Sequence, residues 1–545
     1  MRDVMARPSI KTTLILDNRK VWHIALLLAP LGALTTTGWA PVGIPWIAWL
    51  AFGILTACIS TANRPAQAFY MTWCFAMGMH MAGHGWVFSA LLRQTEAGFF
   101  WSLMGAGLFL NYLAAFLAVP AWLCKWIAVR LQPRRGRTDT SDLNCCLLAV
   151  MLPVAWIAGE ILRGQLFNGF DSLAAGYLLT NWPQRGWLPI LGVHGASLLF
   201  YLSACLAACV WIARADPWLI RAVLSIIPSL MLLAAGAWLD RKNWVTPAHP
   251  ALSFRLIQGG VPQKIKFEAH EKERQTIAYV DAIKSASANL IVTPETAFTD
   301  TFDNLDVSLL NSLRSFSSAT GSNLFLGAPH VDHAGAMKNS IFQVSPSSSA
   351  LARYDKSRLM PFGEYAPAGF AWFSRRMSLA LSDQEPGSVT QAPFEVRLPE
   401  GTIRVGVLVC HEDLSQADAR RWANLEAGVL INPGNLAWFE STWALPQRLQ
   451  VAQVRALETG RPVLRVTNTG ITAHIDPKGR VVAWLDSDAE GVLHGTVQPV
   501  TGLTPFSRYG MLPVVTLAGL LSLIAASAVV ASARISRKRL NPAAW

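Results

Sequence analysis

Eight apolar stretches, each near the length that spans a bilayer, constrain this chain more than any other feature. They lie near 21–37, 42–60, 67–91, 98–129, 144–162, 189–213, 218–239 and 511–533. A spanning helix needs roughly 20 apolar residues, so the first stretch is short and the fourth long. Composition agrees: 52% of the 545 residues are hydrophobic, 15% are charged, and the mean hydropathy is +0.32, where an ordinary soluble domain carries about 25% charged residues. These values exclude a disordered chain, a collagen, a coiled coil and a disulfide scaffold. The first stretch follows Arg2, Arg7, Lys11, Arg19 and Lys20, as in a signal peptide. It lacks a convincing small-residue cleavage site and a second apolar stretch follows at once, so a retained helix is expected.

Positive charge gives the expected orientation. With the N-terminus inside, the cytoplasmic segments hold Arg64, then Arg130, Arg134, Arg135 and Arg137, then Arg214 and Arg221, then Arg534, Arg537, Lys538 and Arg539. The opposite short loops hold Arg93, Arg163, Arg185, Arg241 and Lys242. This bias predicts seven spans before a large external block, one span after it, and both ends in the cytoplasm. The net charge of +12 therefore belongs to membrane topology. No basic patch interleaved with aromatics points to nucleic acid. Residues 163–188 have four Gly and several aromatics, which suits either a segment lining a cavity between helices or a structured external loop. Glu160 is the main intramembrane charge, too little for a transporter pathway.

From Phe254 the periodicity changes. Strand candidates fall at 254–258, 289–292, 323–327, 340–344, 404–409, 428–431, 463–467 and 472–476, and helix candidates at 268–287, 306–319 and 443–459. Apolar strands interleaved with amphipathic helices predict a layered α/β domain, and consecutive strands predict mixed sheets. No Gly-rich phosphate loop follows a strand, so no nucleotide or dinucleotide site is expected.

Seven of the eight cysteines (Cys58, Cys74, Cys124, Cys145, Cys146, Cys205 and Cys209) fall in or beside the apolar stretches, as small apolar filler. Cys410 alone lies in the polar block, which therefore cannot form an internal disulfide, and a lone thiol in an oxidising compartment is a liability unless buried or used. It ends the run RVGVLV and opens the turn HEDLS, where a sheet would fix its backbone. Glu295 in TPETA and Lys356 in YDKSR stand at other strand ends. Brought together, these three suffice for acyl transfer through a thioester: Glu295 takes the thiol proton, Cys410 attacks a carbonyl, and the Lys356 ammonium with backbone N–H groups holds the oxyanion.

PETA around Glu295, DKSRLMPFGEY around Lys356 and Glu364, and VLVCHED around Cys410 resemble the Glu-Lys-Cys signature of the nitrilase superfamily. LINPGNLAWF, QVRALETGRPVLRVTNTGITAHIDPKG and GLTPFSRYG, together with QGGVPQKIKF, LRGQLFNGF and GHGWVFSAL, resemble the bacterial apolipoprotein N-acyltransferases over most of the chain. That resemblance implies a multi-pass helical membrane domain of about seven helices over 1–245, a nitrilase-like αββα sandwich over 250–500, and a final helix with a basic cytoplasmic tail over 505–545. It implies a bacterial inner-membrane enzyme with its catalytic domain on the periplasmic side. A phospholipid would be the acyl donor and a lipoprotein bearing a diacylglyceryl-cysteine the acceptor. No cofactor, no metal and a monomer are expected. Catalysis falls to Glu295, Lys356 and Cys410, with Glu364 orienting Lys356 or shaping the oxyanion site and Glu412 in support. Phe267, Trp438 and Phe439 would line the substrate pocket, with His411 beside the nucleophile in support.

Three positions depart from the family pattern. His411 follows the nucleophile where Tyr is usual, Phe267 stands in place of a Trp, and Asn435-Leu436-Ala437-Trp438-Phe439 replaces the usual Ser/Thr-Asn-Asp-Ala-Trp-Phe. They leave two alternatives: a membrane-tethered amidase acting on small C–N bonds, and a divergent paralogue resembling nitrilase-like conjugal-transfer proteins, with altered or no catalysis.

Overall fold

The computed structural model describes residues 18–131, 140–212, 218–248, 250–370, 372, 383–439 and 442–540. Each expected apolar stretch is helical within these limits: α1 (Asn18–Thr35), α2 (Pro45–Thr61), α3 (Pro65–His84), α4 (Trp86–Gln94), α5 (Gly98–Leu131), α6 (Thr140–Arg163), α7 (Leu188–Ile212) and α8 (Trp218–Asp240), then Leu512–Leu540 after the α/β block. Among the described residues, three helical stretches, Val21–Gly38, Gly98–Arg130 and Pro183–Val210, are by length and composition able to cross a membrane. Pro45–Thr61, Ile226–Asp240 and Leu512–Ala528 are shorter apolar helices. Arg2, Arg7, Lys11, Arg134, Arg135, Arg137 and Arg214, on which the orientation leans, lie outside the described residues.

The stretch expected over 67–91 is two helices, not one. A Cβ on Gly85 would sit 2.4 Å from the Met81 carbonyl oxygen, so glycine permits a tight break between α3 and α4. The break delivers Trp86 to the site described below. The 163–188 segment packs inside: residues 171–180 are buried throughout, in short 3-10 turns. Glu160 holds it, accepting from Ala175 N at 3.1 Å and from Tyr201 Oη at 2.6 Å. A buried carboxylate keeps its place only where donors satisfy it.

The α/β block comprises β1 (Thr246–Pro247), β2 (Leu252–Gln258), β3 (Leu290–Val292), β4 (Asn323–Val331), β5 (Met337–Val344), β6 (Ala352–Asp355), β7 (Phe394–Leu398), β8 (Gly401–Val407), β9 (Ala427–Gly434), β10 (Val463–Thr467), β11 (Thr472–Ile475), β12 (Val481–Leu485), β13 (Gly491–Val497) and β14 (Val500–Thr501). Two six-stranded sheets, ordered β13-β2-β3-β4-β5-β6 and β12-β11-β10-β9-β8-β7, pack face to face, and β1 pairs with β14. Successive side chains on a strand face opposite ways. Leu290 and Val292 of β3 enter the core between the sheets with Val405, Val407, Val429 and Ile431, while Ile291 turns outward to meet helices. Those helices are α9 (Ala269–Lys284) and α10 (Val307–Thr320). Asp306 caps α10, accepting from Ser308 N at 2.6 Å, and Gly321 ends it at φ +72. The other sheet carries α11 (Gln416–Asn424) and α12 (Ala444–Thr459), followed by α13 (Pro505–Tyr509) and α14 (Leu512–Leu540).

Helix α12 joins the two halves. Ala452 and Ala456 pack on the sheet, whereas Val451, Val454 and Leu457 share a core with Leu178 and Val193 of the helical half. Polar contacts reinforce the seam: Val193 N donates to Glu458 Oε1 at 2.6 Å and Gln450 Nε2 to the Tyr177 carbonyl at 2.8 Å.

Candidate active site

Glu295 stands three residues beyond β3, Lys356 directly follows β6, Cys410 comes three residues after β8, and Asn435 follows β9. The mixed sheets bring these ends to one edge. Lys356 Nζ donates to Glu295 Oε1 at 2.9 Å and to Glu364 Oε1 at 2.8 Å. Asn339 of β5 donates to the same two oxygens at 2.6 and 3.1 Å. The second oxygens are also held, Glu295 Oε2 by Asn435 N at 2.8 Å and Glu364 Oε2 by Met360 N at 2.7 Å. All four side chains are buried. A paired, hydrogen-bonded cluster of this kind can keep its charges in the interior.

Cys410 does not end the strand, as the sequence suggested. The strand stops at Val407 and Cys410 opens a 3-10 turn, Cys410–Leu414, at φ +48. Such a conformation costs a non-glycine residue energy and persists only where the surroundings impose it. Thr296, beside Glu295, is also left-handed at φ +48.

The electrostatics separate the acid from the base. Displacement of water by the surrounding protein, and then the Glu295 charge, push the Cys410 thiol up to about 12, against the Lys356 and Arg448 cations. Burial alone would raise the Glu295 carboxyl, but the Lys356 ammonium and the hydrogen bonds from Lys356, Asn435 and Asn339 hold it below the usual carboxylate range. Burial opposes the Lys356 charge, and Glu295, Glu364 and Cys410 outweigh that, so the ammonium stays protonated far above neutrality. The set is a thiol, an ionised carboxylate able to accept its proton, and a fixed cation.

A pocket opens on Cys410. Its walls include Trp86 of α4, Phe170 and Ser172 from the 163–188 segment, and Met360 and Phe439 from the α/β half. Trp86 meets Phe439 edge-on with ring centroids 4.5 Å apart. Of the aromatics expected at the pocket, Phe439 lines it. Trp438 is not among the lining residues and packs against the cluster of Leu436, Phe439, Ala444 and Leu445. Phe267 is 39% exposed and is not among the pocket's lining residues. Its neighbour Lys266 is the buried one, donating to Thr296 Oγ1 at 2.8 Å, and burial draws its ammonium down to about 8. His411 Nε2 lies 2.9 Å from the Gly169 carbonyl oxygen, and burial pulls its imidazole down to about 3. A neutral ring donating to a carbonyl ties the nucleophile turn to the 163–188 segment. Glu412 is wholly buried and bridges two loops, accepting from Ser357 N at 2.7 Å and from Val409 N at 2.7 Å.

Asn339, Lys266, Asp413 and Arg448 were absent from the sequence reading. Asn339 carried no usable signal: it stands between Lys338 and Ser340 in β5, ahead of the apolar residues of that strand, yet it is 3% exposed. No group of three or more His, Cys, Asp or Glu side chains able to hold a metal occurs among the described residues.

Comparison with known proteins agrees with this architecture. Residues 31–206 match the family model described as the apolipoprotein N-acyltransferase N-terminal domain, and residues 258–505 match that of the carbon-nitrogen hydrolases. The chain is thus a membrane helical domain joined to a nitrilase-like α/β domain. It is 34% identical to the apolipoprotein N-acyltransferase of Ralstonia nicotianae over 538 residues, covering 97% of this chain and 98% of that one. The counterpart in Chromobacterium violaceum is 34% identical over 508 residues, covering 92% and 93% of the two chains, and that in Bordetella bronchiseptica is 32% identical over 553 residues, covering 93% and 97%. The chain belongs to the apolipoprotein N-acyltransferase family.

Proposed function

We propose that this enzyme transfers a fatty acyl chain from a phospholipid, through a thioester on Cys410, to the N-terminal amine of a diacylglyceryl-cysteine lipoprotein. It would act as a monomer in the bacterial inner membrane, with the α/β domain on the periplasmic side. In the first step Glu295 takes the Cys410 thiol proton and the sulfur attacks the donor's ester carbonyl. Lys356 Nζ, with two of its N–H bonds on Glu295 and Glu364, offers the third to the oxyanion alongside the His411 backbone N–H. The carbon–oxygen bond breaks, Glu295 returns its proton to the glyceryl oxygen, and a lysophospholipid leaves. In the second step the neutral acceptor amine attacks the thioester. Glu295 takes a proton from the nitrogen, the carbon–sulfur bond breaks, and that proton restores the thiol. Glu364 holds Lys356; Glu412 and His411 hold the turn.

The observation that carries this reading is the joint pocket. Cys410, beside a buried carboxylate–ammonium pair, faces apolar side chains drawn from both the helical half and the α/β half. An acyl chain fits such walls, and excluding water protects a thioester from hydrolysis. Purified protein incubated with labelled phospholipid should carry acyl mass on the Cys410 peptide, and a diacylglyceryl-cysteine peptide should remove it. The Cys410→Ser variant should carry none. Absence of the adduct, or turnover of small soluble amides without phospholipid, would overturn the proposal and favour the amidase reading.

A further inference from the structure

Against the nucleophile turn, with Arg448 reaching the pocket wall, lies a buried charged set that no step above uses. Asp413, within the turn, is 1% exposed; Arg448 of α12 is 7% and Arg465 of β10 is 2% exposed. Arg448 Nη2 donates to the Cys410 carbonyl oxygen at 3.0 Å and also pairs with Asp413. Arg465 Nη1 donates to the other Asp413 oxygen at 3.0 Å and bonds Asn432. Asn432 Nδ2 in turn donates to the Leu408 carbonyl at 2.5 Å. The set therefore grips the chain on both sides of Cys410, the residue held at φ +48.

A trans peptide is planar, so its C=O and N–H point in opposite directions. Pinning the Cys410 carbonyl on Arg448 consequently fixes where the His411 N–H points, because both belong to one peptide. That N–H is the backbone donor assigned to the oxyanion. A guanidinium suits the task, since its fork can hold a carboxylate and a carbonyl at once and stays charged. We infer that Arg448, anchored by Asp413, is a positioning residue that sets the Cys410–His411 peptide so that its N–H completes the oxyanion site. This rests on the thioester reading above and deepens it.

The test is single-turnover acylation of Cys410 by labelled phospholipid, read as amplitude and rate separately. Amplitude counts folded, competent molecules; rate reports the geometry of the turn. Arg448→Met leaves Asp413 paired with Arg465, so no buried charge is orphaned. Its expected acylation rate is about 30-fold below wild type, somewhat less than the loss on deleting an oxyanion donor outright. Half-saturation by phospholipid should stay within about twofold. Arg448→Lys, keeping a donor and the charge, should recover about tenfold of that rate. If Arg448→Met does not fold, Arg448→Lys and Asp413→Asn carry the test: each should slow acylation at unchanged half-saturation. A wild-type rate in the variants, a loss confined to amplitude, or a parallel rise in half-saturation overturns the inference. Failure of the wild-type enzyme to acylate Cys410 would instead sink the thioester reading itself.

Discussion

Glu412→Gln offers a sharp examination of the site, because it changes one atom in a fully occupied carboxylate. Oε1 accepts from Tyr354 Oη at 2.8 Å, Ser357 N at 2.7 Å, Ser357 Oγ at 2.9 Å and Arg358 N at 3.2 Å. Oε2 accepts from Val409 N at 2.7 Å. Every neighbour is a donor, so an amide must turn its NH2 group against one of them. Keeping the carbonyl oxygen toward Ser357 leaves the Val409 N–H facing another donor. A buried donor left unpaired costs about 1–3 kcal/mol, and the remaining bonds lose their charge assistance. A total near 3 kcal/mol follows, and it falls on the link between Ser357, next to Lys356, and Val409, next to Cys410. If that whole cost reaches the reacting geometry, acylation slows about 100-fold. Single-turnover acylation measures the rate, and thermal unfolding in detergent measures stability. Because Glu412 only ties loops, the residual activity should keep the wild-type pH profile. A near-wild-type rate would refute the bridging role, and loss of the acid limb would make Glu412 the base instead.

Glu295→Gln removes the proton acceptor and must turn its NH2 group toward either Asn435 N or the Lys356 and Asn339 donors, so one of those contacts is lost as well, and thioester formation should slow by about 100-fold or more, the usual worth of a general base; trapping the acylated Cys410 peptide over time checks this. The thioester rate should be flat through neutral pH and fall only as acidity protonates Glu295, whose carboxyl sits below its usual range. Stability shares the sign: the Glu295 contribution is complete above the unfolded carboxylate value, about 4.3, and is lost as pH drops through the depressed one, which a pH series of unfolding midpoints would show. Alkylation of Cys410 by iodoacetamide in Glu295→Gln should climb steadily toward high pH, since burial pushes the thiol up to about 12; a plateau near pH 8 would contradict this. Phe439→Ala removes the ring against Trp86 and should raise half-saturation by phospholipid about tenfold, with a much smaller effect on a short-chain ester measured in parallel.

The sequence carried the parts of this site that depend on local pattern. Short runs rich in apolar residues located β2, β3 and β4, and the residues just past strand ends included Glu295, Lys356 and Cys410. Four strands of the two large sheets had no such signature. Val482 and Trp484 of β12 are more than half exposed at a sheet edge, β6 reads ARYD, β7 buries only alternate positions, and β13 has glycines at 491 and 495 on one face. The strand was expected to run to Val409, with Cys410 at its end, because VGVLV is apolar, yet pairing stops at Val407 and Val409 is buried just ahead of the turn. The clamp on that turn was beyond reach for another reason. Arg448 and Arg465 lie 35 and 52 residues from Asp413, and periodicity tells which face a residue occupies but not which distant partner it meets.

Those distant contacts also bear on why hydrolase-type machinery would pass its acyl group to an amine and not to water. A hydrolase needs its thioester open to solvent. Here α12 is buried nearly all round, since one side lies on the sheet and the other on the helical half. Its first turns bring Ala444, Gln447 and Arg448 to the pocket wall beside the nucleophile. The 163–188 segment is held from both halves, by Glu160 at Ala175 and by His411 at Gly169, and it supplies Phe170 and Ser172 to the same pocket. Loosening that segment should therefore let water in before it disturbs the Glu295–Lys356 pair. His411→Ala would keep the thioester-forming rate within a few-fold, because its ring is tied to the Gly169 carbonyl and Glu295 carries the proton, yet shorten the lifetime of the isolated acyl-enzyme. Measuring decay of the acylated Cys410 peptide with no acceptor present decides it: a lifetime equal to wild type would mean that the pocket walls, and not this tether, keep water out.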